Sequence, residues 1–289
     1  MRKITKAIIA VAGSGTRLLP ATKSMPKEML PIVDKPIIQL VVEELVEAGI
    51  KDIIFVTRWD KKPLEDHFDH SMALEDDLRK NGKEKYADMI EEIADMANFI
   101  YVRQKGPYGN GTPVLSAASI VADEPFVFVW GDDLVKSDVS FTKQMIQDYE
   151  KNGNLMIGVQ GVDKEVVNRY GIVKLREGTN EIEDVIEKPT IEEAPTNLAQ
   201  FGRMILDQEF IEILRNTALG KGNELWVTDA IKTYVKNGGI FLAKELKDGQ
   251  WLTTGDPLNY LKATLAYAFD REELRPDLDE YIAKLYCKK

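Results

Sequence analysis

The stretch KAIIAVAGSGTR, residues 6–17, decides how the rest of the chain can fold. Residues 6–12 are almost entirely apolar, which is typical of a strand covered on both faces within a parallel sheet. Gly13 and Gly15 follow directly and permit a tight turn whose backbone N–H groups can point at an anion. The turn is therefore either a simple strand end or the start of an anion-binding loop.

Beyond this stretch, apolar strand-like runs alternate with helical patterns through the first half of the chain. The runs that predict strands are residues 52–57, 99–103 and 125–130. Apolar residues at helical spacing predict helices over residues 37–46 and 114–121. Alternation of this kind predicts an α/β fold with a doubly wound, mainly parallel sheet and right-handed crossovers.

The second half of the chain reads differently, because strand patterns follow one another with few helices between them. These patterns cover residues 155–162, 171–175, 182–186 and 200–205. We expect a smaller β region appended to the main sheet, followed by helices over residues 257–269 and 278–286. No linker, repeat or low-complexity tract divides the chain, so residues 1–289 should form a single domain.

Charge and composition exclude several classes of protein. The net charge of −10 over 289 residues argues against a protein that coats a nucleic-acid backbone or an anionic lipid surface. No apolar run approaches the roughly 18 residues of a membrane span. The single cysteine, Cys287, excludes an internal disulfide and a multi-cysteine zinc site. We therefore expect a cytoplasmic protein without nucleic-acid or membrane partners.

A ligand site should lie in the loops that follow the strands, because doubly wound sheets bind ligands beyond the carboxyl ends of their strands. The first such loop carries Arg17 and Lys27 on a segment that several prolines stiffen. Arg17 can form paired hydrogen bonds with phosphate oxygens, and Lys27 supplies a compact charge. Either cation alone would be read as a solvated surface charge, but together they favour polyphosphate binding.

The same loop carries a resemblance to a known family. Residues 12–17 (AGSGTR) with Pro26 and Lys27 resemble the signature of sugar-1-phosphate nucleotidylyltransferases. The run LPATKSMPKEMLPIVDKP, residues 19–36, is similar to the bacterial members that use UTP and glucose 1-phosphate. Further similar segments follow in the same order, at residues 65–68, 101–105, 131–133, 170–173, 187–189, 228–231 and 260–263.

The resemblance implies an enzyme with a Rossmann-like fold of the nucleotide-diphospho-sugar transferase type. The implied reaction joins UTP and α-D-glucose 1-phosphate into UDP-glucose with release of pyrophosphate, assisted by Mg²⁺. The nucleotide-binding half would span about residues 1–135, the sugar-binding half about 136–270 and a helical tail about 271–289. The family also suggests a homo-oligomer, a dimer or a tetramer.

The resemblance assigns a role to each candidate site residue. It implies catalytic roles for Arg17, Lys27 and Asp132, with Asp132 also the Mg²⁺ ligand. Nucleotide binding is implied for Ala12, Gly13, Gly15, Gln104 and Gly109. Sugar-phosphate binding is implied for Asp133, Gly171, Glu187 and Lys188. Read without the family, Asp132–Asp133 has the alternative of an exposed turn pair after a strand, and Glu187–Lys188 that of an ordinary surface pair.

Two departures from the family pattern leave alternatives open. Thr253 stands where an aspartate is the usual second metal ligand, and Asn110 and Thr112 stand where leucine and histidine are common. Metal affinity, rate or nucleotide preference could differ accordingly. The alternatives are an enzyme for another nucleotide, such as dTTP, or another sugar phosphate, and a weakly active homologue that binds nucleotide sugar as a regulatory partner. Because the role of Lys27 is electrostatic, Lys27→Ala should abolish most activity with little effect on stability.

Overall fold

The computed structural model describes residues 3–286, so Cys287 lies outside the described residues. The strands are β1 (Lys6–Ala10), β2 (Pro31–Ile32), β3 (Lys35–Pro36), β4 (Asp52–Thr57), β5 (Asn98–Arg103), β6 (Phe126–Trp130), β7 (Asp133–Ser137), β8 (Leu155–Gly161), β9 (Gly171–Leu175), β10 (Ile182–Glu187), β11 (Leu198–Leu206), β12 (Phe241–Glu245) and β13 (Gly249–Thr253). The helices are α1 (Ile37–Glu47), α2 (Lys62–His67), α3 (Met72–Lys80), α4 (Glu84–Ala94), α5 (Thr112–Val121), α6 (Phe141–Asn152), α7 (Gln208–Arg215), α8 (Val227–Lys236), α9 (Pro257–Ala268) and α10 (Arg275–Tyr286).

Parallel pairing of β6, β1, β4 and β5, in that order, forms the first half of the central sheet. In β1 the side chains of Ala7, Ile8 and Ile9 are fully buried, because helices cover the sheet and α5 packs directly on β1 and β4. The apolar run at residues 6–12 therefore contains the buried strand that its composition predicts, over Lys6–Ala10. Parallel order also places the carboxyl ends of β1, β5 and β6 at the same edge of the sheet.

The strands of the second half extend the same sheet through β11, which runs antiparallel to β6. On its other side β11 pairs with β8 and, at one position, with β9, and β10 and β12 complete the nine-stranded sheet of residues 3–286. This mixed, mostly parallel sheet with flanking helices is the predicted fold class. It brings β9, β10 and β11 to the edge where β6 ends.

Some elements of the fold were not expected, among them a helix and a pair of strands. Helix α6 begins after Ser140, whose Oγ accepts a hydrogen bond from Lys143 N (3.2 Å), and ends at Gly153 in a left-handed conformation. A separate antiparallel pair joins β7 to β13 and places Thr253 opposite Asp133. Local pattern reading misses this pair because more than a hundred residues separate its strands, and each is only five residues long.

Helices α3 and α4 form a solvated excursion from the sheet, within the acidic segment of residues 71–97. No residue of α3 is buried, and in α4 only Ala87 is buried. Arg79 joins the two helices through an ion pair with Glu91 (2.6 Å). None of the helices within residues 3–286 has the length and apolar character needed to cross a bilayer.

Candidate active site

A cavity of about 430 Å³ opens at the edge of the sheet where β1, β5 and β6 end, a volume within the usual range for small-molecule sites. The loops after these strands contribute to its lining, as predicted. The candidate residues that line it are Ala12, Gly13, Arg17, Lys27, Gln104, Gly109, Asp132, Asp133, Gly171, Glu187 and Lys188. Gly15 does not line the cavity; its φ of 66° and its carbonyl bond from Thr22 Oγ1 (2.7 Å) shape the turn behind it.

Arg17, Lys27 and Asp132 form what we call the cationic end of the cavity. Lys27 Nζ lies 2.5 Å from Asp132 Oδ2, and both side chains are largely shielded from solvent. The Arg17 guanidinium reaches the same carboxylate region, because a Cβ atom added at Gly255 would lie 3.0 Å from Arg17 Nη2 and 3.4 Å from Asp132 Oδ2. Gly13 leaves room for the lysine stem, since a Cβ there would meet Lys27 Cε at 3.3 Å.

The protonation states at the cationic end follow from burial and pairing. Burial alone would lower the pKa of Lys27, but the charges of Asp132 and Glu28 outweigh it and raise that pKa. Burial alone would raise the pKa of Asp132, yet Lys27 and Arg17 hold it below its usual value. Lys27 therefore stays cationic and Asp132 stays anionic at neutral pH, so the end is a fixed arrangement of charges.

Thr254 fixes the backbone beside Asp132. Both its N–H and its Oγ1 donate to the Asp132 carbonyl, at 3.0 and 2.8 Å. The neighbouring Thr253 lines the cavity. Asp256 does not take the place of the absent carboxylate, because it caps α9 through Asn259 N (3.1 Å) and forms an ion pair with Arg169.

The loop after β5 lines the cavity with Gln104, Gly109 and Asn110. A side chain at Gly109 is impossible without rearrangement, since its φ is 119° and a Cβ would lie 2.1 Å from Leu225 O. Asn110 Oδ1 accepts a hydrogen bond from Val227 N (2.8 Å), the first N–H of α8. The loop is thus tied to the second half of the chain through backbone and side-chain contacts.

Thr112, the other residue of this loop that departs from the family pattern, is buried. Its Oγ1 donates to Pro107 O (2.7 Å), and the side chain does not line the cavity. The side chains of Asn110 and Thr112 therefore both form hydrogen bonds with the protein's own backbone.

Glu187, Lys188 and Gln200 form what we call the polar end of the cavity. Glu187 closes β10, its Oε2 accepts from Thr228 Oγ1 (3.2 Å), and burial raises its pKa. Lys188 Nζ lies 3.6 Å from Glu187 Oε1 and 4.3 Å from the centre of the Trp226 ring. Lys188 also has a φ of 46°, so its backbone adopts the left-handed conformation that non-glycine residues rarely use.

Asp133 lies between the two ends and is 3 % exposed. Its Oδ2 accepts a hydrogen bond from Gly202 N (2.9 Å). Burial, followed by the neighbouring charge of Asp132, raises the pKa of Asp133 to about 6. The two adjacent carboxylates therefore differ in character: Asp132 is ionised and paired with cations, whereas Asp133 titrates near pH 6.

Several cavity residues escaped the sequence reading. They are Tyr108, Trp130, Arg169, Tyr170, Gln200, Glu224, Trp226 and Trp251. Two of them carried a local signal: Trp130 directly precedes the Gly-Asp-Asp turn, and Gln200 is a lone amide in a strand that is otherwise mostly apolar. Tyr108, Arg169 and Tyr170 lie within two residues of the predicted site residues Gly109 and Gly171. The others reach the cavity through long-range contacts: Trp251 through the β7–β13 pair, and Glu224 and Trp226 through Leu225, which bonds to the loop after β5.

With this geometry established, comparison with known proteins defines the class. A family model described as nucleotidyl transferase matches residues 6–269, and the chain belongs to that family. Over 97 % of its length the chain is 42 % identical to the UTP–glucose-1-phosphate uridylyltransferase YngB of Bacillus subtilis strain 168, covering 95 % of that protein. It is 43 % identical to UTP–glucose-1-phosphate uridylyltransferase 2 of Staphylococcus saprophyticus, with 99 % of both chains covered.

Solved structures agree with these relatives. A UDP-glucose pyrophosphorylase in complex with UDP-glucose matches 93 % of this chain and 100 % of its own, with a TM-score of 0.83 and 41 % identity. A UTP-bound UGPase from Acinetobacter baumannii matches 98 % of this chain and 99 % of its own, with a TM-score of 0.85 and 36 % identity.

Proposed function

We propose that this protein transfers the uridylyl group of UTP to α-D-glucose 1-phosphate, which yields UDP-glucose and pyrophosphate. The observation that carries the proposal is that one cavity holds both the cationic end and the polar end. Cations suited to phosphates thus face a carboxylate and an amide suited to hydroxyl groups. Relatives more than 40 % identical, over nearly their full length, carry the name of this activity.

The reaction needs no covalent intermediate with the protein. A phosphate oxygen of glucose 1-phosphate attacks the α-phosphorus of UTP and forms a new P–O bond. The bond from that phosphorus to the oxygen bridging to the β-phosphate breaks, and pyrophosphate leaves with the electron pair. Since the attacking oxygen already carries negative charge, the protein has to position two polyanions and neutralise charge rather than remove a proton.

Arg17 and Lys27 would perform this neutralisation. Lys27 is held cationic by its surroundings, and Arg17 is exposed at the mouth of the cavity, where it can reach phosphate oxygens. We assign Lys27 to the α-phosphate, where charge develops during transfer, and Arg17 to the remaining phosphates. The nucleotide would be contacted by Ala12, Gly13, Gln104 and Gly109. The Gln104 amide suits this role, because a glutamine amide can both donate to and accept from a pyrimidine edge. Gly15 would shape the nucleotide-binding turn from behind the cavity.

A divalent cation, which we propose to be Mg²⁺, fits this donor set when it arrives with the triphosphate. Among residues 3–286 no group of three or more His, Cys, Asp or Glu side chains is placed to hold a metal ion. Mg²⁺ bound to a nucleotide needs only one or two carboxylates besides phosphate oxygens and water. Asp132 would supply that carboxylate, and the bound cation would neutralise phosphate charge.

We assign the polar end and its neighbours to the sugar phosphate. The Glu187 carboxylate can accept hydrogen bonds from two hydroxyl groups, and Lys188 can pair with the phosphate of glucose 1-phosphate. Gly171, opposite Glu187 in the β9–β10 register, and Asp133 complete this side. Residues from about 1 to 135 would then form a nucleotide-binding half, and residues from about 136 to 270 would form a sugar-binding half.

Release of pyrophosphate across a substrate panel tests the proposal. The panel combines UTP, dTTP, ATP, CTP and GTP with glucose 1-phosphate, galactose 1-phosphate and N-acetylglucosamine 1-phosphate, with Mg²⁺ omitted in one arm. UTP with glucose 1-phosphate should give the highest kcat/KM, and the reaction should require Mg²⁺. A higher value for another pair would reassign the substrate, and no release with any pair would reject the proposal.

A second candidate function rests on Thr253, which lines the cavity opposite Asp133 where a second carboxylate would be placed. A protein with a weakened metal site could bind nucleotide sugar and regulate a partner instead of catalysing turnover. Rapid turnover of the native protein in the panel would exclude this candidate, whereas tight UDP-glucose binding without turnover would favour it.

We also propose a homo-oligomer in the cytoplasm. Helix α9 exposes Leu258, Leu261 and Leu265, which recur at helical spacing on one side and could form a contact between copies. Light scattering coupled to size-exclusion chromatography should give a mass above that of one chain, and a monomer would contradict the oligomer.

A further inference from the structure

Gln200 is a buried polar side chain whose two amide atoms both lack a hydrogen-bond partner among the described residues. It lies on β11, is 1 % exposed and lines the cavity. Neither its Oε1 nor its Nε2 has a hydrogen-bond partner among residues 3–286. An amide buried in this way is destabilising unless a ligand or a bound water molecule supplies the missing bonds.

The surroundings of Gln200 place its amide beside the carboxylate of the polar end. A Cβ atom added at Gly171 would lie 2.4 Å from Gln200 Nε2 and 3.0 Å from the Thr228 methyl group. Gly171 is the register partner of Glu187, and Thr228 Oγ1 donates to Glu187. The amide therefore occupies the space that a side chain at position 171 would take, next to Glu187.

A second polar group in the same region also lacks a partner. The buried Nε1 of Trp130, another residue of the cavity lining, has no hydrogen-bond partner among the described residues. By contrast, Gln39 of α1 is buried with both amide groups bonded, to Glu43 Oε1 (2.9 Å) and to His67 Nε2 (3.0 Å). Unsatisfied amide atoms are thus a feature of the cavity and not of every buried glutamine in the chain.

We propose that Gln200 determines specificity for the sugar: its Oε1 accepts a hydrogen bond from one hydroxyl of the bound hexose and its Nε2 donates to another. This inference rests on the proposed function, because the hexose is the sugar of glucose 1-phosphate. A glutamate carboxylate such as that of Glu187 accepts hydrogen bonds, whereas the Gln200 amide both donates through its Nε2 hydrogens and accepts through its Oε1. Glu187 and Gln200 together favour a sugar whose hydroxyl groups are placed to bond with both side chains. An analogue that lacks the correct hydroxyl leaves the buried amide unpaired.

The variant Gln200→Met tests the proposal, because methionine keeps the length of the side chain and removes both polar atoms. The substrates are glucose 1-phosphate and its monodeoxy analogues, each lacking one hydroxyl. For the native protein, kcat/KM should fall about 10- to 100-fold with at least one analogue. In the variant, kcat/KM for glucose 1-phosphate should fall by a similar factor, because KM for glucose 1-phosphate rises. The ratio of kcat/KM between glucose 1-phosphate and that analogue should shrink to about threefold or less. KM for UTP should change less than about twofold.

Thermal unfolding of the ligand-free protein separates a recognition role from a structural one. Gln200→Met should keep or raise Tm, because it removes an unpaired buried amide. The matched control Gln39→Met removes a fully bonded amide, so its Tm should fall while its discrimination among the sugar phosphates stays unchanged. A lower Tm for Gln200→Met with unchanged discrimination would overturn the proposal.

Calorimetric titration with UDP-glucose and UDP keeps the two proposals distinguishable, because it requires no turnover. The native protein should bind UDP-glucose more tightly than UDP, and Gln200→Met should reduce that advantage while its affinity for UDP stays the same. An equal advantage in both proteins would reject the role of Gln200, even if the protein is an active uridylyltransferase. If no pyrophosphate is released but the native protein still binds UDP-glucose more tightly than UDP in a manner that depends on Gln200, the proposed function is rejected and the role of Gln200 in sugar binding stands.

Discussion

The cationic end and the polar end of the cavity differ in whether their buried polar side chains are paired within the protein. At the cationic end, Lys27 and Asp132 are paired with each other before any ligand arrives. At the polar end, Gln200 is buried with both amide atoms unpaired. A buried unpaired charge is far more unfavourable than a buried unpaired amide, so charges have to be paired within the protein while an amide can be left for the ligand. Substitutions at the two ends should therefore affect stability in opposite directions.

The largest effect is expected for Lys27→Met at the cationic end. Loss of the cation nearest the developing charge should lower kcat about 10²- to 10³-fold. Stability should fall as well, by about 2 kcal/mol, because Asp132 is left largely buried with only Arg17 close by. This differs from the expectation drawn from the sequence, that stability would hardly change, since the ion pair with Asp132 is visible only in the fold.

Steady-state kinetics and urea unfolding of the ligand-free protein measure these two effects. Lys62→Met serves as the matched control, because Lys62 is exposed and pairs with Asp66 on the surface of α2. The double variant Lys27→Met/Asp132→Asn should recover part of the stability and none of the activity. An unchanged free energy of unfolding for Lys27→Met would show that the two ends do not differ as described.

The next effect is expected for Gly171→Ala at the polar end. The added methyl group would lie 2.4 Å from Gln200 Nε2, so the amide has to move away. KM for glucose 1-phosphate should rise about tenfold and KM for UTP should stay within about twofold, since a displaced amide loses about one hydrogen bond to the sugar. Gly161→Ala, where an added Cβ would lie 3.8 Å from Asn197 Nδ2 and the backbone is not left-handed, is a control for the loss of a glycine. Equal increases in both KM values would point to a general distortion of the cavity.

The pH dependence of stability tests the position of Asp133 between the two ends. Its folded pKa of about 6 lies above the unfolded value of about 3.9, so the folded state holds its proton more tightly. Its contribution to stability is therefore greatest at low pH and is lost as the pH rises through about 6. The free energy of unfolding of the native protein, relative to Asp133→Asn, should fall from about pH 4 to about pH 6.5 and stay constant above about pH 7. A parallel pH profile for both proteins would contradict this.

The smallest effect is expected for Thr253→Asp. The new carboxylate would face Asp133 across the β7–β13 pair and add a like charge beside Asp132. Repulsion would offset part of any gain in metal affinity, so kcat should change less than about tenfold at saturating Mg²⁺. A gain above a hundredfold would instead indicate a native site that has lost most of its activity, as the second candidate function requires.

How much of this could be predicted from the sequence depends on whether the information is local. The strand at residues 6–12 and the cations Arg17 and Lys27 were predicted, because a buried apolar run and its following loop lie together in the chain. Gln200 was missed because β11 reaches the cavity only by pairing with β6, β8 and β9. No local pattern states which strands will be neighbours.

The two departures in the loop after β5 show the same limit. Asn110 and Thr112 suggested an altered nucleotide preference, yet in the fold their side chains bond to Val227 N and Pro107 O. A residue type alone does not reveal whether its polar atoms face a ligand or the protein's own backbone. The assignment of the nucleotide therefore has to rest on the substrate panel.

The most direct test of the central claim follows the α-phosphorus of UTP. UTP radiolabelled at the α-phosphate is incubated with the protein, glucose 1-phosphate and Mg²⁺, and the products are separated. If the cavity transfers the uridylyl group as we propose, the label appears in UDP-glucose and the released pyrophosphate is unlabelled. Label recovered only in UMP, or remaining entirely in UTP, would contradict the account.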